Sequence, residues 1–168
     1  TGFVGLTHAA VCSEYGHEGH AYDISEERIA AYKTGQRGQI EQHVNEPELA
    51  DIIAEQLDQY LFFTTDVTGI VEDADAIFMC LPTPPMLDGS TDLGAYLNAV
   101  HHLGGLLAQR DPHKRVVLIN KSTVPIGTGD WVADIIRRHQ PEPIDFAVVS
   151  NPEFLREGSA INDFMYPD

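Results

Sequence analysis

Cysteine is scarce in this chain of 168 residues, with Cys12 and Cys80 the only two. Two thiols, each inside an apolar segment, build no disulfide framework and read as small core residues. Basic residues are also few. Three Lys and seven Arg stand against 26 acids, for a net charge of −16. Nucleic-acid binding needs a basic footprint, so that class of partner is excluded. No apolar run approaches the roughly 18 residues that span a bilayer, so no membrane-spanning helix is expected. There is no repeat with a period of roughly 20–50 residues and no low-complexity tract. An initiator Met and a signal peptide are absent too, since the chain opens on Thr1-Gly2; a cytoplasmic fragment of a longer protein is expected. Asn120-Lys121-Ser122 spells a glycosylation sequon. It closes an apolar strand pattern in a chain without a secretory signal and is discounted.

What is present suits one globular domain with a sizeable core, since 43% of the residues are hydrophobic. The acidic excess with scarce Lys has two readings: surface carboxylates that keep a protein soluble in high salt, or an ordinary acidic cytosolic protein. Helix and strand signals alternate. Helices are expected over 4–15, from Ser25, from Asn45-Glu46-Pro47, over 67–72, from about Asp92 and over 127–139. Strands are expected over 19–23, 60–65, 76–81, 115–120 and 144–149, with a loop at 35–38. The continuous apolar runs at 76–81 and 115–120 suit strands buried on both faces of a parallel sheet. The alternation predicts an α/β fold, a doubly wound parallel sheet of Rossmann type whose first strand lies ahead of Thr1.

The opening Thr1-Gly2-Phe3-Val4-Gly5 reads as the end of a G-x-G-x-x-G loop that leaves a strand and enters a helix. Such glycines let the backbone approach a pyrophosphate, and the helix N-terminus aims free N–H groups at its charge. The bland alternative is an ordinary turn before a helix. Asp23 follows Gly2 at about the 20-residue separation at which an acid accepts hydrogen bonds from the adenosine ribose and favours NAD over NADP. Asp23 as a turn or helix-cap residue is the competing reading.

Ligands of open α/β sheets bind beyond the carboxyl ends of the strands. The polar exits here are Asp23, Thr83, Ser122 with Thr123, and Glu153 with Glu157. As a set they suggest a site, although single members, Ser122 and Thr123 above all, also suit helix capping. His17 and His20 near Cys12 fit no structural zinc spacing, so no metal is expected.

The stretch Ser150-Asn151-Pro152-Glu153-Phe154-Leu155-Arg156-Glu157-Gly158-Ser159-Ala160-Ile161, followed by Asp163-Phe164 and Pro167-Asp168, resembles the signature of the UDP-glucose/GDP-mannose dehydrogenase family. Lys121-Ser122-Thr123-Val124-Pro125 and Pro82-Thr83-Pro84 match two further motifs of that family in the right order. Glu46-Pro47-x-Leu49 matches a fourth, with Glu48 standing where Gly is usual. The resemblance runs over essentially the whole chain.

The resemblance implies an NAD-dependent enzyme that oxidises the C6 primary alcohol of a nucleotide sugar to a carboxylate through a cysteine-bound intermediate. It implies that Gly2, Phe3, Val4 and Gly5 cradle the pyrophosphate, that Asp23 and Arg28 hold the adenosine ribose region, and that Leu81 and Thr83 line the cofactor. Ser122 and Thr123 would lie near the nicotinamide, with Thr123 orienting a water. Glu153 would serve as general acid/base for thioester hydrolysis and Glu157 as a contact on the nicotinamide side. Glu153, Phe154, Leu155, Arg156 and Glu157 would border the UDP-sugar. The family's nucleophilic cysteine belongs to a second domain, where the sugar-reading residues and a homo-oligomer contact are also expected. Cys12 and Cys80 are no substitutes, so this chain alone is expected to bind NAD without turnover. UDP-glucose is the first choice of substrate, with UDP-N-acetyl-mannosamine and GDP-mannose as alternatives. A non-catalytic NAD-sensing module is the reading from a different class; it would not require Glu153 together with Thr123. A short-chain reductase is disfavoured, because Tyr32 is followed directly by Lys33 and no Tyr-x-x-x-Lys pair is formed.

Overall fold

The computed structural model describes residues 1–167; Asp168, the last residue of the signature stretch, lies outside the described residues. In chain order the elements are α1 Phe3–Glu14, β1 Gly19–Tyr22, α2 Glu26–Lys33, α3 Arg37–Ile40, α4 Leu49–Gln56, β2 Leu61–Thr64, α5 Thr68–Val71, β3 Ala76–Met79, α6 Gly94–Leu107, β4 Val116–Asn120, α7 Thr128–His139, β5 Phe146–Ser150 and α8 Ala160–Met165. The fold is α/β with parallel ladders, as the alternation predicts. β1 pairs with β2, and β3, β4 and β5 pair in that order, every pair parallel. The chain divides into two compact units. One is Thr1–Val67 together with the stretch from Phe154 onward, and the other is Thr68–Glu153.

The first unit is built on α1. Leu6, Ala10 and Val11 recur at helical spacing and are fully buried. They join Ile29 and Tyr32 of α2, Leu49 and Ile53 of α4, Leu61 and Phe63 of the β2 strand, and Ile161 of α8 in one core. α2 starts as its sequence predicts: Ser25 is the N-cap, its Oγ accepts from Arg28 N–H at 3.2 Å, and Glu26 and Glu27 occupy the first turn. α4 starts less comfortably. Its N-cap is Glu48, held in the left-handed region at φ 66°, where a Cβ is strained and Gly is not. That accounts for the Gly usual at this position. Within 35–38, expected as loop, α3 begins at Arg37; burial of Ile40 and an Arg37–Asp51 ion pair at 2.6 Å hold that single turn.

In the second unit α6 and α7 cover one face of β3–β4–β5. Tyr96, Val100, Leu103 and Leu107 form the buried stripe of α6. Tyr96 OH donates to Asn120 Oδ1 at 2.6 Å, and Gly129 of α7 lies over Val148. A Cβ on Gly104 would come within 2.8 Å of the His139 ring, so any larger residue there would have to displace the His139 side chain. Val116 and Leu118 of β4 point to this covered face and are fully buried. The opposite face differs from the expectation of strands buried on both sides. Phe78, Ile119 and Val149 stand side by side in register on it, with Phe78 38% and Val149 41% exposed. Both long helices of this unit lie on the other side.

Candidate functional site

The expected site residues fall into two groups, one in each unit. In the first unit α1 begins at Phe3 with Gly2 as its N-cap, and no side chain caps it. The first-turn N–H groups of an α-helix have no partners within the helix, and here they are those of Phe3, Val4 and Gly5. A Cβ built on Gly2 meets nothing within 4 Å. The end of α1 is therefore an open, uncapped cradle of backbone donors with positive dipole character, the arrangement a pyrophosphate requires.

Asp23 directly follows the β1 strand. Its Oδ2 accepts from the Thr1 backbone nitrogen at 2.8 Å, from Thr1 Oγ1 at 3.0 Å and from Arg28 Nη1 at 2.8 Å, and its Oδ1 accepts from Ser25 N–H at 2.9 Å. Burial works to raise its pKa, but hydrogen bonds from the Thr1 nitrogen, the Ser25 N–H and Arg28 outweigh it and hold the carboxyl well below the usual carboxylate range. Ser25, not Asp23, caps α2, so the helix-cap reading of Asp23 does not describe this structure. Asp23, Arg28 and the entry to α1 form one hydrogen-bonded group, completed by Tyr32 OH donating to Thr1 O at 3.1 Å.

In the second unit the exits of β3, β4 and β5 are adjacent because their strands pair in register. Met79 faces Asn120, and Asn120 faces Ser150. Ser122 Oγ accepts from Leu81 N–H at 2.8 Å and lies 2.7 Å from Leu81 O, the carbonyl it donates to. Thr83 Oγ1 donates to Thr123 O at 2.9 Å. On the β5 side Asn151 N–H donates to Asn120 O at 2.9 Å. Leu81, Thr83, Ser122, Thr123 and Glu153 thus gather at the carboxyl edge of one three-stranded ladder. The Ser122 hydroxyl stitches two strand exits together. Thr123 is exposed and Glu153 half-buried.

Phe154, Leu155, Arg156 and Glu157 lie in the first unit, ahead of α8. Phe154 is 80% exposed. Arg156 makes a two-pronged pair with Asp163, Nη2 to Oδ1 at 2.5 Å and Nε to Oδ2 at 2.9 Å. The Arg156 guanidinium holds the Asp163 carboxyl down at about 2. Glu157 is exposed. Two carboxylates that belong to the motifs, but to which the sequence assigns no role, organise this stretch: Asp163, and Glu46, whose oxygens accept from Gly158 N–H and Ala160 N–H at 2.7 Å each. Lys121, the first residue of the Lys121–Pro125 motif, is 6% exposed, with Asn151 Oδ1 3.4 Å from its Nζ.

Cys12 and Cys80 are half-buried, and burial pushes the Cys80 thiol up to about 11, the wrong direction for a thiolate at neutral pH. No helix among the described residues is long and apolar enough to cross a membrane.

A family model described as the UDP-glucose/GDP-mannose dehydrogenase family, NAD binding domain, matches residues 1–168. A UDP-glucose 6-dehydrogenase of Pseudomonas aeruginosa is 39% identical over 99% of this chain and 36% of its own length. A solved structure described as a UDP-glucose dehydrogenase from the hyperthermophilic archaeon Pyrobaculum islandicum aligns with a TM-score of 0.88 at 34% identity, covering 99% of this chain and 37% of that one. A GDP-mannose dehydrogenase from Pseudomonas aeruginosa, crystallised as a ternary complex, aligns at 0.87 and 31% identity, with 99% and 37% covered. The chain spans little more than a third of the length of each of these relatives.

Proposed function

Because the chain belongs to the UDP-glucose/GDP-mannose dehydrogenase family and spans its NAD-binding domain, we propose that it is the cofactor-holding part of an enzyme that oxidises the C6 primary alcohol of a nucleotide sugar, UDP-glucose first, to the carboxylate. UDP-N-acetyl-mannosamine and GDP-mannose are the alternative substrates. NAD, when bound, supplies the hydride acceptor. The chain's own residues do the positioning. The N–H groups of Phe3, Val4 and Gly5 hold the pyrophosphate beside Gly2, Asp23 accepts from the ribose hydroxyls, and Arg28 fixes Asp23. Leu81, Thr83 and Ser122 line the nicotinamide half, and Glu157 meets it from the signature stretch. Thr123 orients a water that Glu153 deprotonates when the acyl group is released. Phe154, Leu155 and Arg156 border the sugar nucleotide. The reacting cysteine comes from outside this chain, a reading supported by the raised pKa of Cys80.

The observation that carries this reading is the uncapped α1 N-terminus with open space at Gly2 and an ionised, buried Asp23 in the same hydrogen-bonded group. The experiment is spectrophotometric. The full-length protein is expected to form NADH with UDP-glucose faster than with the two alternative sugars, and the isolated chain to bind NAD and form none. NADH production from UDP-glucose by the isolated chain would refute the assignment of the cysteine elsewhere.

A further inference from the structure

Glu46 is 3% exposed. Burying an ionised carboxylate is strongly unfavourable unless its oxygens are hydrogen-bonded. Here both are: Oε2 by Gly158 N–H and Oε1 by Ala160 N–H, each at 2.7 Å. The donors lie more than a hundred residues further along the chain yet within the same compact unit. Gly158 is the turn at φ 88° within the signature stretch, and Ala160 is the first residue of α8. Ser159, the N-cap of α8, makes no side-chain capping bond. Glu46 therefore caps that helix from a distance, an anion against orphan N–H groups. On its own side Glu46 leads into α4, whose Leu49 and Ala50 are in the core and which packs on α1.

The geometry points to Glu46 as a positioning residue: its two hydrogen bonds fix the turn that carries Arg156 and Glu157 to the body that carries the α1 N-terminus. A cap needed for helix stability alone is supplied by a local Ser or Asp. A carboxylate reaching across the fold specifies where the turn sits. Asp163 holds the same turn from its far side, through the Arg156 side chain and the Ser159 hydroxyl at 3.1 Å. With the turn fixed, Glu157 and Arg156 meet the nicotinamide side and the sugar nucleotide in one preset arrangement. The inference rests on the function proposed above.

The test uses the full-length protein and two variants. Glu46→Gln keeps the shape but turns an NH2 toward one of the two donors. Glu46→Asp keeps the charge but falls short of both. Expected is a fall in kcat with UDP-glucose of about tenfold or more in both variants, as misplacement of positioning groups produces, with NAD affinity within about twofold of wild type because the pyrophosphate and ribose contacts lie elsewhere. Unchanged kcat and KM in folded Glu46→Gln protein would overturn the inference, and so would parallel losses of kcat and NAD binding that track the folded fraction. Wild-type protein that oxidises no nucleotide sugar overturns the proposed function first. In that case, or if neither variant folds, hydrogen exchange of the unliganded wild type decides. Slow exchange at both Gly158 and Ala160 supports the preset turn, and fast exchange at either overturns it.

Discussion

Arg28 Nη1 lies 2.8 Å from Asp23 Oδ2 and so joins the end of the first strand to the first turn of the helix that follows it. The pair keeps a buried carboxylate ionised beside the entry to α1. A ribose with two free hydroxyls is the natural donor to such a group. Asp23→Ala is expected to weaken NAD binding by about 1–3 kcal/mol, the cost of lost charge-assisted hydrogen bonds. Titration of NAD against both proteins by fluorescence reads it directly. An unchanged dissociation constant would reduce Asp23 to a structural role.

Gly2 offers a cleaner separation of binding from folding. Space around its Cβ position is open, and its φ of −74° suits any residue. Gly2→Ala should therefore leave the melting temperature unchanged. A methyl group there stands where the pyrophosphate must come close, so NAD affinity should fall by about 1–3 kcal/mol, as overpacking does. Equal affinity in the two proteins would remove Gly2 from the cofactor site.

Glu48 sits in a backbone conformation that disfavours it, at φ 66°. Replacing it by Gly relieves about 1–2 kcal/mol of left-handed strain against about 0.5–1 kcal/mol of added chain entropy in the unfolded state. Glu48→Gly is expected to be neutral to stabilising in urea unfolding. A clear loss of stability would mean that the Glu48 side chain contributes more than its backbone costs.

Ser122 joins two strand exits through one hydroxyl. Ser122→Ala leaves the Leu81 N–H without its acceptor, a loss of about 1–3 kcal/mol when a partly buried donor is orphaned. Denaturant unfolding should show the loss even without NAD. An effect confined to NAD-bound protein would assign the hydroxyl to the cofactor instead.

Acid and alkali should unfold the protein through different groups. Asp163 titrates at about 2 in the fold, mainly because of Arg156, and near 3.9 when unfolded. Its folded pKa is depressed, so its contribution is complete above about pH 4 and is lost as pH falls toward 2. Tyr32 and Tyr96 are pushed up to about 12 by burial, against about 10 unfolded. The fold favours their neutral forms, so stability falls as pH rises past about 10. Circular dichroism across both ranges checks the signs, and Asp163→Asn should flatten the acid limb. Salt adds a third axis. If the surface carboxylates are an adaptation to high salt, the melting temperature rises from dilute to molar KCl, and equal stability in both would favour the ordinary acidic protein.

Much of this was legible in the sequence because its signals are local. The helix expected over 4–15 is found at Phe3–Glu14, and Ser25 caps the next helix as its position implied. What escaped is non-local. α8 has no cap in its own sequence, because the capping carboxylate is Glu46. α3 looked like a loop between glycines, because what holds it is Ile40 packing into the core and Asp51 from the next helix. The run at 76–81 read as fully buried because composition reports how apolar a strand is and not what lies over it; Phe78 is apolar and partly open. Glu48 showed in the sequence as a departure from the family pattern, but its strain needed φ to be seen.

The reach of Glu46 also orders assembly in time. Residues Thr68–Glu153 form a continuous unit whose contacts close within one stretch of chain. The first unit, by contrast, receives Ile161 of its core and both partners of Glu46 from a segment more than a hundred residues beyond Glu46. Contacts between distant segments bear the largest loop-closure entropy and form late. Pulse-labelled hydrogen exchange is expected to show protection in β3–β5 before α8. On a ribosome, the candidate nucleotide cradle would settle only after α8 has emerged.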